Sequence, residues 1–263
     1  MFWLEIKRCF SRISFKITLL VGIMACILNI ISMNIDSYSI QYYIKAYEIS
    51  CYDNFIFFNL NSISNMLILI FPILSVLSYA DSYLEDIHSG FIKYIYTRYN
   101  KSKYLICKFT ANFIAGGLAF VIPLIIDFII LIVNYPSLPT DAILGKQTIL
   151  YGGLFPLLYY KHPIIYISMW LLIYFMYAGA FASVALGLSI IIKNRFVVLF
   201  MPFLLCNAIG IILDVMNKYY FSPLSFLYLS NKQNINIIIG EFIGIMIVSI
   251  SMFYFGGKKN EVY

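Results

Sequence analysis

Charge is scarce in this chain. Only 11% of its 263 residues are charged, against 62% hydrophobic, whereas a soluble domain is nearer one quarter charged and one half apolar. That scarcity excludes an ordinary soluble domain. The apolar excess is spread over several long runs, so the expectation is a polytopic membrane protein. Histidine is scarcer still: His88 and His162 stand far apart in different loops, and no metal site is expected from them. The five cysteines (Cys9, Cys26, Cys51, Cys107, Cys206) include no CxxC pair. Only Cys51 is expected outside the membrane on the oxidising side, so no disulfide framework is implied. A phosphate-cradling GxxxxGK[ST] loop is missing, as are HExxH and Ser/His/Asp constellations. The chain is therefore expected to catalyse nothing alone and to bind no cofactor itself. Its net charge of +6 does not make a nucleic-acid surface, because the basic residues flank apolar runs, where orientation signals lie.

Six segments approach the roughly 20 apolar residues that a membrane-spanning helix needs: about 17–35, 61–80, 109–133, 164–192, 196–213 and 235–255. Residues 1–16 precede them. There Phe2, Ile6, Phe10 and Ile13 recur at helical spacing, Arg8, Arg12 and Lys16 share another face, and Trp3 adds an aromatic anchor. This pattern predicts an amphipathic helix lying in the headgroup layer. The basic start resembles a signal peptide, but no small-x-small site follows the first apolar run, which is expected to remain as an uncleaved span. With the N-terminus inside, only Lys45, Lys146, Lys161, Lys218 and Lys232 of the 18 Lys and Arg fall in outer segments. The other thirteen lie inside, which places both termini in the cytoplasm of a cell membrane (plasma or inner).

The outer loops are rich in tyrosine. Tyr38, Tyr42, Tyr43, Tyr47, Tyr52, Tyr159, Tyr160, Tyr219 and Tyr220 are expected as an interfacial aromatic belt. The SFLYLS stretch after Phe221-Ser222-Pro223 is too short to cross and is expected to be half-inserted, under cover of protein or a cavity. Gly179, Ser183 and Gly187 recur at intervals of four, as do Gly240 and Gly244, a spacing that lets helices approach closely in lipid. Pro72, Pro123 and Pro202 are expected to kink their spans.

Two acids stand in apolar surroundings, Asp127 and Glu241. At 1.5 Å per residue Asp127 falls near the outer boundary of span three, and Glu241 near the outer end of span six. An intramembrane carboxylate is a functional hypothesis by default, here lining a translocation path or pairing across a subunit interface. The alternative is an acid that snorkels to the outer headgroups.

The densest charge cluster is the segment 79–108. Asp81, Glu85 and Asp86 lead to Gly90, where a helix can stop and turn. Phe91 to Tyr99 then mixes aromatic and basic residues, and Asn100-Lys101-Ser102-Lys103 leads into span three. An idle connector is expected to be short and polar; this one is long and aromatic, which points to a docking element for a soluble partner. The order Glu85, Gly90, Thr97-Arg98, Ser102-Lys103-Tyr104 and Lys108 resembles the segment between spans two and three of ABC-2 type transporter permeases. Ser189 to Asn194 with Pro202 is similar to that family's hairpin between spans four and five, and Phe221-Ser222-Pro223 to its outer loop before the last span. The likeness covers nearly the whole chain in topology, with a more tyrosine-rich coupling segment and a longer loop before span four. It implies an all-α integral membrane fold in which two six-span subunits pair, each docked through a short coupling helix onto a separate cytoplasmic ATPase that holds ATP and Mg. It places docking around residues 86–105, with coupling roles for Glu85, Asp86, Gly90, Tyr94, Arg98, Lys101, Ser102 and Lys103, and implies export of an amphipathic or hydrophobic cargo. The partner subunit is a second copy or a paralogous permease. Alternatives are an ion-gradient carrier using Asp127 and Glu241, and a non-transporting immunity or scaffold protein of the membrane.

Overall fold

A computed structural model describes residues 1–40, 50–58, 61–138, 153–229 and 233–259. Among these the chain is all-helical, and six helices are long and apolar enough to cross a membrane. It is a multi-pass membrane protein. The elements run α1 (Phe2–Ser11), α2 (Ile13–Ile40), α3 (Ser62–Leu77), α4 (Ser82–His88), α5 (Phe91–Arg98), α6 (Lys101–Asn134), α7 (Pro156–Lys161), α8 (Pro163–Leu188), α9 (Arg195–Val215) and α10 (Ile235–Ile250). A five-residue π-helical stretch, Ser251–Phe255, joins α10 to α11 (Gly256–Lys259).

Helix starts follow local chemistry. Asn61, Asn100, Asn194 and Asn234 each accept a backbone N–H of the first turn of α3, α6, α9 and α10, which satisfies a donor that has no partner inside the helix. Asn100 explains why the third spanning helix begins at Lys101 rather than at 109. Hydropathy reads the polar run 101–108 as loop, but a capped N-terminus lets the helix start there. At 34 residues, α6 measures about 51 Å, well beyond the ~30 Å of a hydrocarbon core. The amphipathic helix expected over 1–16 is shorter: Arg12 is extended (φ −68°, ψ 140°), and α2 begins immediately after it.

The bundle is built around α8, which packs on α3, α6, α9 and α10. Glycines set the closest approach, between α6 and α8. A Cβ on Gly117 would meet the Phe175 ring at 2.5 Å, and one on Gly179 would meet Phe113 at 2.7 Å, so each helix offers a hole to the other's aromatic knob. Gly187 instead faces Ser249 and Met252 beyond α8's other side, and Ser183 donates to the Gly179 carbonyl. Gly240 and Gly244 have open space where a side chain would go. Pro72, Pro123 and Pro202 all lie inside helices.

Two irregular segments close the end of the bundle away from α1. In the first, residues 50–58, Phe55, Ile56 and Phe57 are fully buried. In the second, the 3₁₀ turn Ser225–Leu227 drives Phe226 against Tyr177, stacked with ring centroids 3.9 Å apart. This is the SFLYLS stretch, and Phe226 and Leu227 are fully buried by protein. The interfacial belt expected of the outer tyrosines is corrected at two positions. Tyr52 and Tyr159 are buried, and the Tyr159 hydroxyl donates to Asp53 at 2.7 Å. Their rings find partners in Phe128 and in Phe58 and Tyr166, contacts worth more than an interfacial position when a protein surface is at hand. Tyr42, Tyr43, Tyr47, Lys45, Lys146 and Lys232 lie outside the described residues, as do the side chains of Tyr38 and Tyr219.

The glycine contrast is testable by thermal unfolding of purified variants. Gly117→Ala forces the Phe175 ring or the helix pair apart and is expected to cost about 1–3 kcal/mol. Gly244→Ala meets nothing and is expected to be neutral or to stabilise by up to about 1 kcal/mol.

Candidate functional site

Where α1 crosses the ends of α3, α4 and α6, the charged side chains of Glu5, Asp86 and Lys108 are buried, with the partly exposed Arg8 at their edge. Lys108, seven residues into α6, is fully buried, and its ammonium has three protons to place. Each has an acceptor: Asp86 Oδ2 at 2.6 Å, Glu5 Oε2 at 3.1 Å and the Tyr79 hydroxyl at 3.4 Å. Asp86, on α4, is also fully buried. Besides Lys108 it accepts from Arg8 Nη2 at 2.6 Å and from the Tyr104 hydroxyl at 2.7 Å. Glu5 is 3% exposed and accepts from Tyr79 at 2.7 Å and from Arg8 at 3.1 Å. Two carboxylates thus face one ammonium and one guanidinium, and the inner cluster is neutral.

A second tier lies beside it. Arg12, in the break between α1 and α2, donates to Asp81 at 2.7 Å and to Glu85. The cations also approach rings: Arg8 sits 4.7 Å from the Phe91 centroid, Arg12 5.2 Å and Lys108 4.9 Å from Tyr79, and the contact of buried Lys108 with buried Tyr79 is the desolvated one, where cation–π attraction is strongest. Burial alone would lower the Arg8 pKa, but the hydrogen bond and charge of Asp86, with Glu5 behind it, raise it above the ordinary value. Arg8 therefore remains a cation. Cys9 shares this wall. Its thiol is pushed up to about 12 by burial, against the opposing pull of Arg12 and Lys108.

The helix that follows is exposed on one side. Gly90 takes φ +70° with nothing near its missing side chain, a left-handed turn that glycine adopts without penalty, and it redirects the chain from α4 into α5. There Ile92 and Ile95 are buried against the bundle, while Lys93, Tyr94, Thr97 and Arg98 face outward, Tyr94 at 74% exposure. Tyr96 packs edge-on against Tyr104, and burial pushes its hydroxyl up to about 12. Lys101 donates to the Lys258 carbonyl at 3.0 Å, tying the start of α6 to the C-terminal helix. Ser102 is half-buried with its N–H on Asn100, and Lys103 is exposed.

The residues singled out in the sequence therefore divide. Tyr94 and Arg98 on α5 and Lys103 on α6 are each exposed. Gly90 turns the chain into α5, and Glu85 pairs with Arg12. Asp86 is not part of that exposed set: it is buried, and two cations and a tyrosine claim both its oxygens. For Asp127 the snorkelling alternative does not hold. It is fully buried, neither oxygen in a well-formed hydrogen bond. Glu241 lies elsewhere, on α10, where the Tyr177 hydroxyl approaches it at 3.4 Å while bonding the Ile238 carbonyl at 2.7 Å. The two acids are not brought together. Sequence reasoning missed Glu5, Arg8, Tyr79 and Lys108 as one cluster. The available signal was a lone acid, Glu5, on a basic helix and a cation carried into an apolar run at 108. Comparison with protein-family models, curated proteins and solved structures finds no match to this chain.

Two measurements check this site. Lys108→Met leaves two buried carboxylates with one cation and is expected to cost about 3–5 kcal/mol, part of which Glu5→Gln in the same chain restores. In maleimide labelling at pH 8, a thiol with its pKa near 12 is only roughly one part in ten thousand thiolate, so Cys9 is expected to resist. Because its folded-state value is raised, reactivity appears only as the pH approaches 12 or when Asp86→Ala frees α1.

Proposed function

We propose that this chain is the membrane-spanning permease subunit of an ATP-driven exporter of the ABC-2 type, in which a separate cytoplasmic ATPase grips α5. The observation that carries the reading is the pairing of an exposed basic and aromatic helix with a rigid root. Tyr94, Arg98 and Lys103 offer a contact surface, and immediately behind them Asp86, Arg8 and Lys108 fasten α4 to α1 and α6. A push on α5 is thus delivered to three helices at once, including the long α6. Basic residues crowd this end of the bundle, which supports a cytoplasmic placement for it and for both termini.

In this mechanism the ATP and Mg belong to the partner, and this chain supplies the path. Closure of two ATPase subunits moves α5 together with α1, and the spans rock against a second copy or a paralogous permease. The broad apolar outer faces of α9 and α10, including Phe200, Leu204, Ile211, Ile243 and Ile247, suit lipid or such a partner. Weakly charged, aromatic-rich walls suit an amphipathic or hydrophobic cargo such as a peptide, drug or lipid-like molecule. A carrier driven by an ion gradient would be better served by acids that meet near one site, whereas Asp127 and Glu241 face different elements. A non-transporting scaffold has no use for a fastened, outward helix.

The reading is checked by purifying the chain from its native membrane. An ATPase is expected to accompany it, and Tyr94→Ala with Arg98→Glu and Lys103→Glu is expected to reduce that association at least about tenfold, the loss of one desolvated anchor and its charges, while leaving the melting temperature unchanged. An ATPase held equally well by the triple variant removes α5 from the contact.

A further inference from the structure

A second polar cluster lies toward the opposite end of the bundle, between α2, α6 and the 50–58 segment, and its hydrogen bonds do not close. Asn61 caps α3, its Oδ1 accepting the Ser64 N–H at 2.8 Å. That bond fixes which way the Asn61 amide points, so its Nδ2 is the donor to Asn29 Oδ1. The orientation of Asn29 is fixed in turn. Its Nδ2 is directed away from Asn61, fully buried and without an acceptor.

Across from it Asp127 has the reverse deficit: two buried acceptor oxygens and no well-formed donor. Several observations put the two residues at one level. The helices run side by side in the same direction, with Phe15 against Ala115 and Ala119, then Gly22 against Pro123. The Cys26 thiol donates to the Pro123 carbonyl at 3.5 Å. Asn29 is one turn beyond Cys26, and Asp127 one turn beyond Pro123. Cys26 feels the charge of Asp127, and the backbone N–H of Ile56 faces that carboxyl, while the Ile56 carbonyl accepts from Ser64.

We infer that Asn29 and Asp127 hold a water molecule between them, which accepts from the Asn29 amide and donates to the Asp127 carboxyl. Buried polar groups that lack protein partners are characteristically satisfied this way. The donor set argues against a metal cation. The backbone N–H of Ile56 faces the carboxyl, and among the described residues no group of three or more metal-ligating side chains is present, whereas a hard cation needs several oxygens. The bridge joins α2 to α6 beneath the 50–58 segment, and it does not depend on the transport reading.

Hydroxyl-radical footprinting by X-ray radiolysis of the intact protein in lipid nanodiscs tests it, because a bound water generates radicals inside an otherwise dry core. Cys26 is 1% exposed yet is expected to be modified at least about fivefold faster than Cys206, which is also buried but sits on α9, away from this bridge. The excess is expected to vanish in Asn29→Leu and in Asp127→Leu. Equal, slow modification of Cys26 and Cys206 in the unmodified sequence overturns the inference with no variant needed. So does an excess that survives both substitutions, or a melting temperature raised by sodium or potassium in the parent chain but not in Asp127→Asn, which would make the site a cation site.

Discussion

The ammonium of Lys108 is the constraint on which one end of this molecule depends. A lysine buried without partners would be intolerable in a bundle this apolar, so its presence obliges two acids to come to it from 22 and 103 residues away. Asp86 arrives on α4 and Glu5 on α1, and each then needs more than Lys108 to fill its oxygens. Arg8, Tyr79 and Tyr104 complete the set. The N-terminal helix α1 therefore cannot float independently. Its position is dictated by the requirement that no charge in the cluster be left over. A buried ion network is a poor source of net stability compared with well-packed apolar residues, but it has few alternative arrangements. What it gives this protein is a defined geometry between three helices that otherwise present interchangeable hydrocarbon to one another.

The rest of the bundle is specified by shape. Lipid tails are as apolar as leucine, so helix pairing relies on close fit, and here the fit is reciprocal glycine and phenylalanine between α6 and α8. Aromatic side chains extend it: Phe71, Phe120, Tyr174, Tyr177, Phe181 and Phe226 contact one another across α3, α6, α8 and the 3₁₀ turn. Rings that would serve an interfacial belt in a chain with fewer of them are drawn inward. The two ends of the molecule thus differ in kind, one held by charge and the other by packed rings and irregular backbone.

Much of this was legible in the sequence, for particular reasons. Spans announce themselves because a helix in hydrocarbon must be long and apolar. Gly90 was readable as a turn because a left-handed residue after a short acidic helix is a glycine's position. The ion cluster was not legible as a unit. Arg8 and Arg12 look like orientation signals whatever they touch, and the Asn100 cap that starts α6 eight residues before its hydrophobic run does not tell which helix Lys108 will meet. Helical periodicity reports which residues share a face, but not which other face it meets. Burial of Tyr52 and Tyr159 was hidden for the same reason, since a tyrosine near a span end has identical local chemistry whether it meets headgroups or a neighbouring ring.

The division of acids follows from this contrast between ends. At the α1 end every buried carboxylate is matched by cations supplied from another helix, so the charges are fixed in place and the geometry is rigid. Toward the other end neither oxygen of the buried Asp127 has a well-formed hydrogen bond, and Glu241 has a tyrosine hydroxyl whose closer bond goes to a backbone carbonyl. Neutral hydrogen bonds of that kind are individually modest and readily exchanged for bonds to water. A bundle anchored by ion pairs at one end and by exchangeable polar contacts at the other has an inherent polarity of stiffness.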